Sequence, residues 1–191
     1  HPQVARKTRT IPRTIGAQKW DEGGGSDGGS SPIRPFLFRH LPGRDGSEAQ
    51  AVARRFRGQE EVKVDAKGRL SIPAKFRRVF ESCDPDWETG RRPQLVIVYG
   101  PTSWQHLELY TMRAIEEIDA QIDGLPRGSR ERLWLERLMN GTAEDAEIDN
   151  DGRLLLPLKL REKLGLDDRA FIMASGDYLR LWHPDTYAEV E

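Results

Sequence analysis

Polar turns and apolar runs recur along the chain in two similar segments. Residues 64–77 have the sequence VDAKGRLSIPAKFR, and residues 148–161 have IDNDGRLLLPLKLR. The two align without gaps at an offset of 84 positions (149 − 65), and seven of the 14 positions are identical. Looser matches follow, LVIVY at 95–99 with AFIMA at 170–174, and HLELY at 106–110 with YLRLW at 178–182. We infer an internal duplication, so both repeats are expected to fold into the same unit.

Each repeat is predicted to begin with a β-hairpin and to end with two further strands. The hairpin strands are predicted at 61–64 and 69–72 in the first repeat, and at 147–148 and 153–156 in the second. Their turns are DAKG and DNDG. Asp65 and Asp149 can accept hydrogen bonds from the backbone amides that follow, and Gly68 and Gly152 tolerate a positive φ.

A short helix is predicted after each hairpin. Pro73 and Pro157 suit the first helical position, where an N–H group is not needed, and Gly165 suits the C-cap of the second helix. The apolar stripes of these helices are Phe76, Val79 and Phe80 in the first repeat, and Leu158, Leu160 and Leu164 in the second.

Residues 111–142, between the repeats, are predicted to form a helical insert. Apolar residues recur at helical spacing from Ile115 to Leu125, and Ser129 can cap a second helix. The apolar positions of that second helix are Leu133, Trp134, Leu138 and Met139. We assign these stripes to the core or to a subunit contact.

Residues 1–51 differ from the rest of the chain. Asp21–Pro32 is a Gly/Ser tract with no apolar residue except its final proline, and the flanking aromatic and aliphatic residues have no period. We predict that residues 1–51 are either a disordered arm or a non-native extension, with Val52 as the translation start in the second case.

Composition and motifs argue against an enzyme. Thirty basic residues nearly balance 31 acidic ones, and the single cysteine, Cys83, excludes an internal disulfide and fits a reducing, cytoplasmic compartment. No apolar run approaches the ~20 residues of a membrane helix. The four histidines have no metal-ligand spacing with Cys83, and no nucleophile-elbow or phosphate-binding motif occurs. We therefore predict neither catalytic residues nor a cofactor or metal site.

The segment Phe56-Arg57-Gly58, followed by DAKGRLSIPAKFR and later by DNDGRLLLP, resembles the MraZ family. The resemblance covers roughly residues 54–187. It implies a mainly β fold with α-helices (α+β), in which two tandem AbrB-type swapped-hairpin units form a pseudo-twofold, double-ψ-like β-barrel. The expected SpoVT/AbrB-type domains span 56–110 and 143–187.

The same resemblance implies a bacterial regulator of the division and cell-wall gene cluster. Family members bind direct repeats in the promoter of their own operon, usually as repressors, and several chains close into a ring. Double-stranded DNA, a homo-oligomer and a nucleoid-associated location are therefore expected.

Charge differs between the repeats. From Arg54 to Arg78 nine basic residues face three acidic ones, a net charge of +6, whereas from Glu144 to Arg169 five basic residues face eight acidic ones, a net of −3. Phosphate neutralisation favours the basic unit, so the first repeat is predicted to face DNA and the second to support subunit packing.

The turn of the first hairpin is predicted to contact DNA, because a two-stranded ribbon fits the major groove. Arg69 and Lys67 are the candidates for base or phosphate contacts, and Lys63, Arg57 and Arg55 are the candidates for backbone positioning. Arg69 could instead pair with a neighbouring aspartate, and Arg153 at the equivalent position favours that structural role. Lys75, Arg77 and Arg78 could be a solvated helix face.

Two other functions stay open from the sequence. One is a non-catalytic oligomeric scaffold, and the other is an antitoxin-like protein-interaction module. Two repeats with a helical insert argue against the antitoxin-like arrangement, in which a single hairpin domain precedes a disordered tail. Salt-dependent DNA binding would separate a regulator from a scaffold.

Overall fold

The computed structural model describes residues 55–190, and the predictions for residues 1–51 lie outside this range. The described part contains eight strands and five helices. In chain order they are β1 (Gln59–Lys63), β2 (Arg69–Ser71), α1 (Ala74–Ser82), β3 (Gln94–Val98), β4 (His106–Thr111), α2 (Met112–Asp123), α3 (Arg130–Met139), β5 (Ala143–Glu147), β6 (Arg153–Leu155), α4 (Leu158–Leu164), β7 (Arg169–Ala174), β8 (Tyr178–Trp182) and α5 (Pro184–Val190). The order β-β-α-β-β therefore occurs twice, as the duplication predicts.

The strands exchange partners between the repeats. Six strands form one sheet in the order β1-β7-β8-β4-β3-β5, and β2 pairs with β6 in a separate ribbon. All of these pairs are antiparallel. The first strand of each repeat lies beside the third strand of the other repeat, and β4 pairs with its own counterpart β8.

The predicted closed barrel is wrong for the described residues. The strand order leaves β1 and β5 as the two open edges of the large sheet. Strands β2 and β6 have three residues each, and the isolated bridges Val64–Leu70 and Ile148–Leu154 join them to the residues that directly follow β1 and β5. Such short strands do not extend the ladder far enough to close the sheet. The fold is a mixed β and α structure with antiparallel strands.

The large sheet separates two apolar cores. Leu107 and Leu109 of β4 point into a core shared with the ribbon, α1 and α4. Tyr110 points to the opposite face, where α2 and α3 pack. Alternation along the strand explains this division, because successive side chains leave opposite faces of a sheet. The ribbon and the helical insert therefore lie on opposite sides of the molecule.

The helix boundaries follow local chemistry. Ser129 accepts a hydrogen bond from the backbone N–H of Arg132 at 3.2 Å, which confirms the predicted N-cap of α3. Gly165 ends α4 with a φ of +63°, which confirms the predicted C-cap. Pro73 and Pro157 lie one residue before the helices, at the N-cap instead of the first helical position. Leu158 was expected in the apolar stripe of α4 but is 59% exposed.

Candidate nucleic-acid interface

The first hairpin turn is held by the side chain of Asp65. Its Oδ1 accepts from the backbone N–H groups of Lys67 (2.9 Å) and Arg69 (3.0 Å). Its Oδ2 accepts from Nε of Arg69 at 2.6 Å. The backbone closes the turn through a bond from Gly68 N–H to the carbonyl of Asp65 at 2.8 Å. Arg69 thus combines a structural bond through Nε with a partly exposed guanidinium group.

The second turn repeats this geometry. Oδ1 of Asp149 accepts from the backbone N–H groups of Asp151 (3.0 Å) and Arg153 (2.8 Å), and Oδ2 accepts from Nε of Arg153 at 3.1 Å. One difference lies at the tip. Asp151 occupies the position of Lys67 and also accepts a hydrogen bond from Nη2 of Arg153. The guanidinium of Arg153 is therefore paired twice, whereas Arg69 has a lysine two residues away.

These contacts act on the pKa values of both carboxyl groups. The backbone N–H of Arg69 lowers the pKa of Asp65, with further lowering from the Arg69 side chain, and burial opposes this only in part. Burial raises the pKa of Asp149, but the bonds from the backbone and side chain of Arg153 outweigh it, so the pKa of Asp149 is also lowered. Both aspartates are therefore charged at neutral pH.

The ribbon brings the two turns to opposite ends of one small surface. Leu70 pairs with Leu154 at its centre, and both side chains are fully buried. Side chains alternate along each strand, so Arg69 and Arg153 lie on the outer face. There Arg69 is opposite Leu155, which is 57% exposed.

Two arginines that were not among the predicted site residues contact these turns. Arg161 of α4 lies against Gly68 in the turn of the first repeat, and Arg77 of α1 lies against Gly152 in the turn of the second. Each is half-buried, so Arg77 does not belong to a solvated helix face. The only sequence signal for this role is that the repeated motif ends on an identical arginine. The contact itself depends on the exchange of strands.

The predicted positioning residues do not gather at the turn. Lys63, Arg57 and Arg55 are all exposed, and Lys63 ends β1 two residues before Asp65. Arg55 and Arg57 flank the bridge between Phe56 and Gly176 at the other end of β1. Arg57 precedes β1 and is separated from Lys63 by the whole strand, which spans Gln59–Lys63. The cationic candidates therefore form two separate groups.

Metal-ligand clusters and membrane-spanning helices are absent from residues 55–190. No group of three or more His, Cys, Asp or Glu side chains in this range could hold a metal ion. None of the helices between residues 55 and 190 is long and apolar enough to cross a membrane.

Comparison with known protein families decides the classification. The model of the family described as "MraZ protein, putative antitoxin-like" matches residues 55–124 and 139–191. The chain belongs to the MraZ family. Each of the two matched segments contains one Asp–Arg turn. The gap between the matched segments falls mainly on α3.

Curated MraZ relatives align over most of their length. The chain is 57% identical over 140 residues to the transcriptional regulator MraZ of Ruegeria sp. (strain TM1040), which covers 73% of this chain and 84% of the relative. It is 54% identical, with the same coverage, to the protein of that name from Ruegeria pomeroyi. A third MraZ regulator, from Cereibacter sphaeroides (strain KD131 / KCTC 12085), is 42% identical over 144 residues, with 72% and 84% coverage.

Proposed function

We propose that this chain is a DNA-binding transcriptional regulator that contacts DNA through the turn of its first hairpin. The family membership and the relatives named as transcriptional regulators support the general function. Transcriptional regulation is not a catalytic class, so the proposal assigns the chain no reaction.

The choice of turn rests on one difference between two turns of the same geometry. The first turn has Lys67 at its tip, and the second has Asp151 at the equivalent position. The first turn has Lys67 and Arg69 against Asp65, a net charge of +1. The second has Arg153 against Asp149 and Asp151, a net of −1. Affinity for DNA comes largely from neutralised phosphates, so the cationic turn is the better ligand.

The proposed contacts differ in kind along the surface. Lys67 is exposed at the tip and can bond a phosphate or a guanine edge. Arg69 is fixed by Asp65 through Nε, which leaves its terminal nitrogens to bond O6 and N7 of guanine. Lys63, Arg57 and Arg55 would bond phosphates farther along the duplex and so orient the protein.

The finer biology is proposed from the family resemblance. The chain would repress the division and cell-wall gene cluster by binding repeated boxes upstream of its own operon, and would therefore be found with the nucleoid. Several weak contacts on regularly spaced boxes would add through multivalency, provided that the copies of the turn match the spacing of the boxes.

The proposed domain organisation is one AbrB-type unit at 56–110, the helical insert at 111–142 and a second unit at 143–187. In this interpretation the β2–β6 ribbon is the exchanged hairpin pair of an AbrB-type dimer formed within one chain. The reciprocal pairing of β1 with β7 and of β5 with β3 supports it.

A homo-oligomer, closed as a ring, is the proposed assembly. Helix α3 buries Leu135, Leu138 and Met139 but leaves Leu133 and Trp134 54% and 45% exposed. Large exposed side chains next to a buried apolar face are typical of a surface that associates. Because α3 lies on the side of the sheet opposite the ribbon, a second copy could pack there without covering the DNA-binding turn.

The function is tested by exchanging the charges of the two turn tips. Lys67→Asp should reproduce the second turn, in which the aspartate pairs with the guanidinium, and should weaken binding to the DNA upstream of the gene. Losing a base contact worth about 1–3 kcal/mol corresponds to roughly 5- to 150-fold in Kd. Fluorescence anisotropy at fixed salt measures this change.

The matched control is Asp151→Lys, the reverse change at the equivalent position. It should leave binding intact or strengthen it, because it adds a cation to a turn of the same geometry. Equal weakening by both variants would contradict the choice of the first turn. If the wild-type chain does not bind DNA even at low salt, the regulator proposal fails and the scaffold alternative is favoured.

A further inference from the structure

Arg161 belongs to the acidic second repeat, yet it lies on the cationic turn of the first. A methyl group placed on Gly68 would be 2.4 Å from Nε, 2.6 Å from Cζ and 2.8 Å from Cδ of Arg161. The guanidinium group therefore rests directly on the peptide between Lys67 and Arg69. Only glycine leaves room for this approach.

Leu156 fixes this arrangement through its backbone. Its N–H donates to the carbonyl of Gly68 at 2.9 Å, and its carbonyl accepts from Nε of Arg161 at 3.2 Å. The turn and the arginine are thus bonded to the same residue, which follows β6. Nε is used inside the protein, and no group among residues 55–190 bonds Nη1 or Nη2 of Arg161.

Resting on the proposed function, we propose that the DNA-binding surface is built by both repeats, with Arg161 as a phosphate ligand beside Lys67 and Arg69. Lys67, Arg69 and Arg161 carry three positive charges, and the one carboxylate of the turn, Asp65, is already bonded within it, so these four side chains sum to +2. A half-buried guanidinium whose Nε is bonded, and whose two terminal nitrogens have no partner within residues 55–190, suits a bidentate contact with phosphate oxygens.

The opposite turn provides the internal comparison. Arg77 lies against Gly152, where a methyl group would be 2.3 Å from its Nη1, and the N–H of Ile72 donates to the carbonyl of Gly152 at 2.9 Å. The four charged side chains of this turn and its helix contact, Arg77, Arg153, Asp149 and Asp151, sum to zero. The arginine again packs on the turn glycine, although Arg77 approaches through Nη1 and its buried Nε has no hydrogen-bond partner within residues 55–190. These side chains lack the excess positive charge that favours phosphate binding.

The test measures how DNA affinity depends on salt, because a packing role alone does not change that slope. Wild type, Arg161→Ala, Arg161→Gln, Arg161→Lys and Arg77→Ala are titrated with the duplex upstream of the gene, from about 50 to 300 mM KCl. Each lost phosphate contact makes the slope of log K against log salt shallower by about 0.9, once for every subunit that contacts the DNA. Arg161→Ala and Arg161→Gln should have this shallower slope, whereas Arg161→Lys and Arg77→Ala should keep the wild-type slope.

Circular dichroism and sedimentation of each variant identify any loss of folding or assembly, and Arg161→Gln retains a long polar side chain if alanine unfolds the turn. If wild type binds and both neutral variants keep its slope, the composite surface is wrong while the regulator proposal stands. The same conclusion follows if Arg77→Ala lowers the slope as much as Arg161→Ala. If wild type does not bind, the proposed function is overturned and this inference with it.

Discussion

At the scale of single residues, the two turns use one carboxylate for two purposes. One oxygen of Asp65 holds two backbone amides, and the other holds the side chain of Arg69. The same aspartate therefore shapes the turn and fixes the orientation of the arginine proposed to contact DNA. A substitution at Asp65 should affect both stability and binding.

The lowered pKa of Asp65 predicts a pH dependence of stability. Because the folded-state pKa lies below the ordinary value, the carboxylate stabilises the fold above about pH 4, and this contribution is lost as pH falls through the folded-state pKa. The Tm of wild type should therefore exceed that of Asp65→Asn at pH 6, and the difference should shrink below about pH 4. Thermal unfolding at a series of pH values measures it. Asp167→Asn, at an exposed position, is the control, and a pH-independent difference would contradict the assignment.

Replacing Gly68 by alanine is predicted to lower the free energy of unfolding for two reasons. Gly68 and Gly90 have φ values of +82° and +92°, so alanine is strained at either by about 1–2 kcal/mol. Only at Gly68 must the new methyl group also displace Arg161, because nothing lies within 4 Å of a methyl group at Gly90. Urea unfolding should therefore give a larger loss for Gly68→Ala than for Gly90→Ala. Equal losses would mean that Arg161 moves freely.

The turns could be predicted from neighbouring residues, whereas contacts between residues far apart in the sequence could not. An aspartate followed three residues later by glycine is enough to predict the turn and its Asp–amide bonds. The contacts of Arg161 with Gly68 and of Arg77 with Gly152 were not predictable, because each joins residues more than 70 positions apart. Helical periodicity placed Arg77 on a polar helix face, but it could not show that this face contacts the turn of the other repeat.

At the scale of elements, β4 and β8 meet where the repeats are equivalent. Glu108 of β4 is opposite Arg180 of β8, and the distance between its Oε1 and Nε of Arg180 is 3.7 Å. Glu108 is fully buried, and its Oε2 accepts from the hydroxyl of Tyr110 at 2.8 Å. The centre of the sheet therefore contains opposite charges on the face that α2 and α3 cover.

This buried pair predicts different outcomes for single and double replacement. Glu108→Leu leaves the charge of Arg180 buried without its carboxylate and should cost about 3–5 kcal/mol of the free energy of unfolding. The double variant Glu108→Leu/Arg180→Met removes both charges and should recover most of that loss, since buried ion pairs often give way to apolar groups without penalty. Urea unfolding of the two variants checks this. Equal losses would mean that the charges do not compensate each other.

The alternation of polar and apolar residues predicted most strands but not their partners. The alternation in β1 is the same whether it pairs within its own repeat or with β7, so the exchange cannot be derived from the pattern. The three-residue strands β2 and β6 also lacked a signal for their length, and the expected closed barrel failed for that reason. Leu158 was assigned to an apolar stripe although its position at the first turn of α4 faces solvent.

At the scale of the whole molecule, the apolar surface of α3 predicts self-association. Trp134→Ser combined with Leu133→Ser should lower the sedimentation coefficient, because both side chains are exposed beside a buried apolar face. Leu158→Ser is the matched control, since Leu158 is 59% exposed but lies on the ribbon side. Sedimentation velocity at several concentrations measures the assembly. An unchanged coefficient for the double variant would contradict the proposed contact.

The exchange of strands also determines when the nascent chain can form its first long-range ladder. Lys63 of β1 pairs with Arg169 of β7, so 106 further residues must be synthesised before this ladder can begin. At a translation speed of ~5–20 residues per second, β1 waits about 5 to 20 s on the ribosome. During that interval the unpaired backbone N–H and C=O groups of β1 can bond to the same segment of a neighbouring nascent chain on the polysome. We therefore expect intertwined dimers as the misfolded product of this fold.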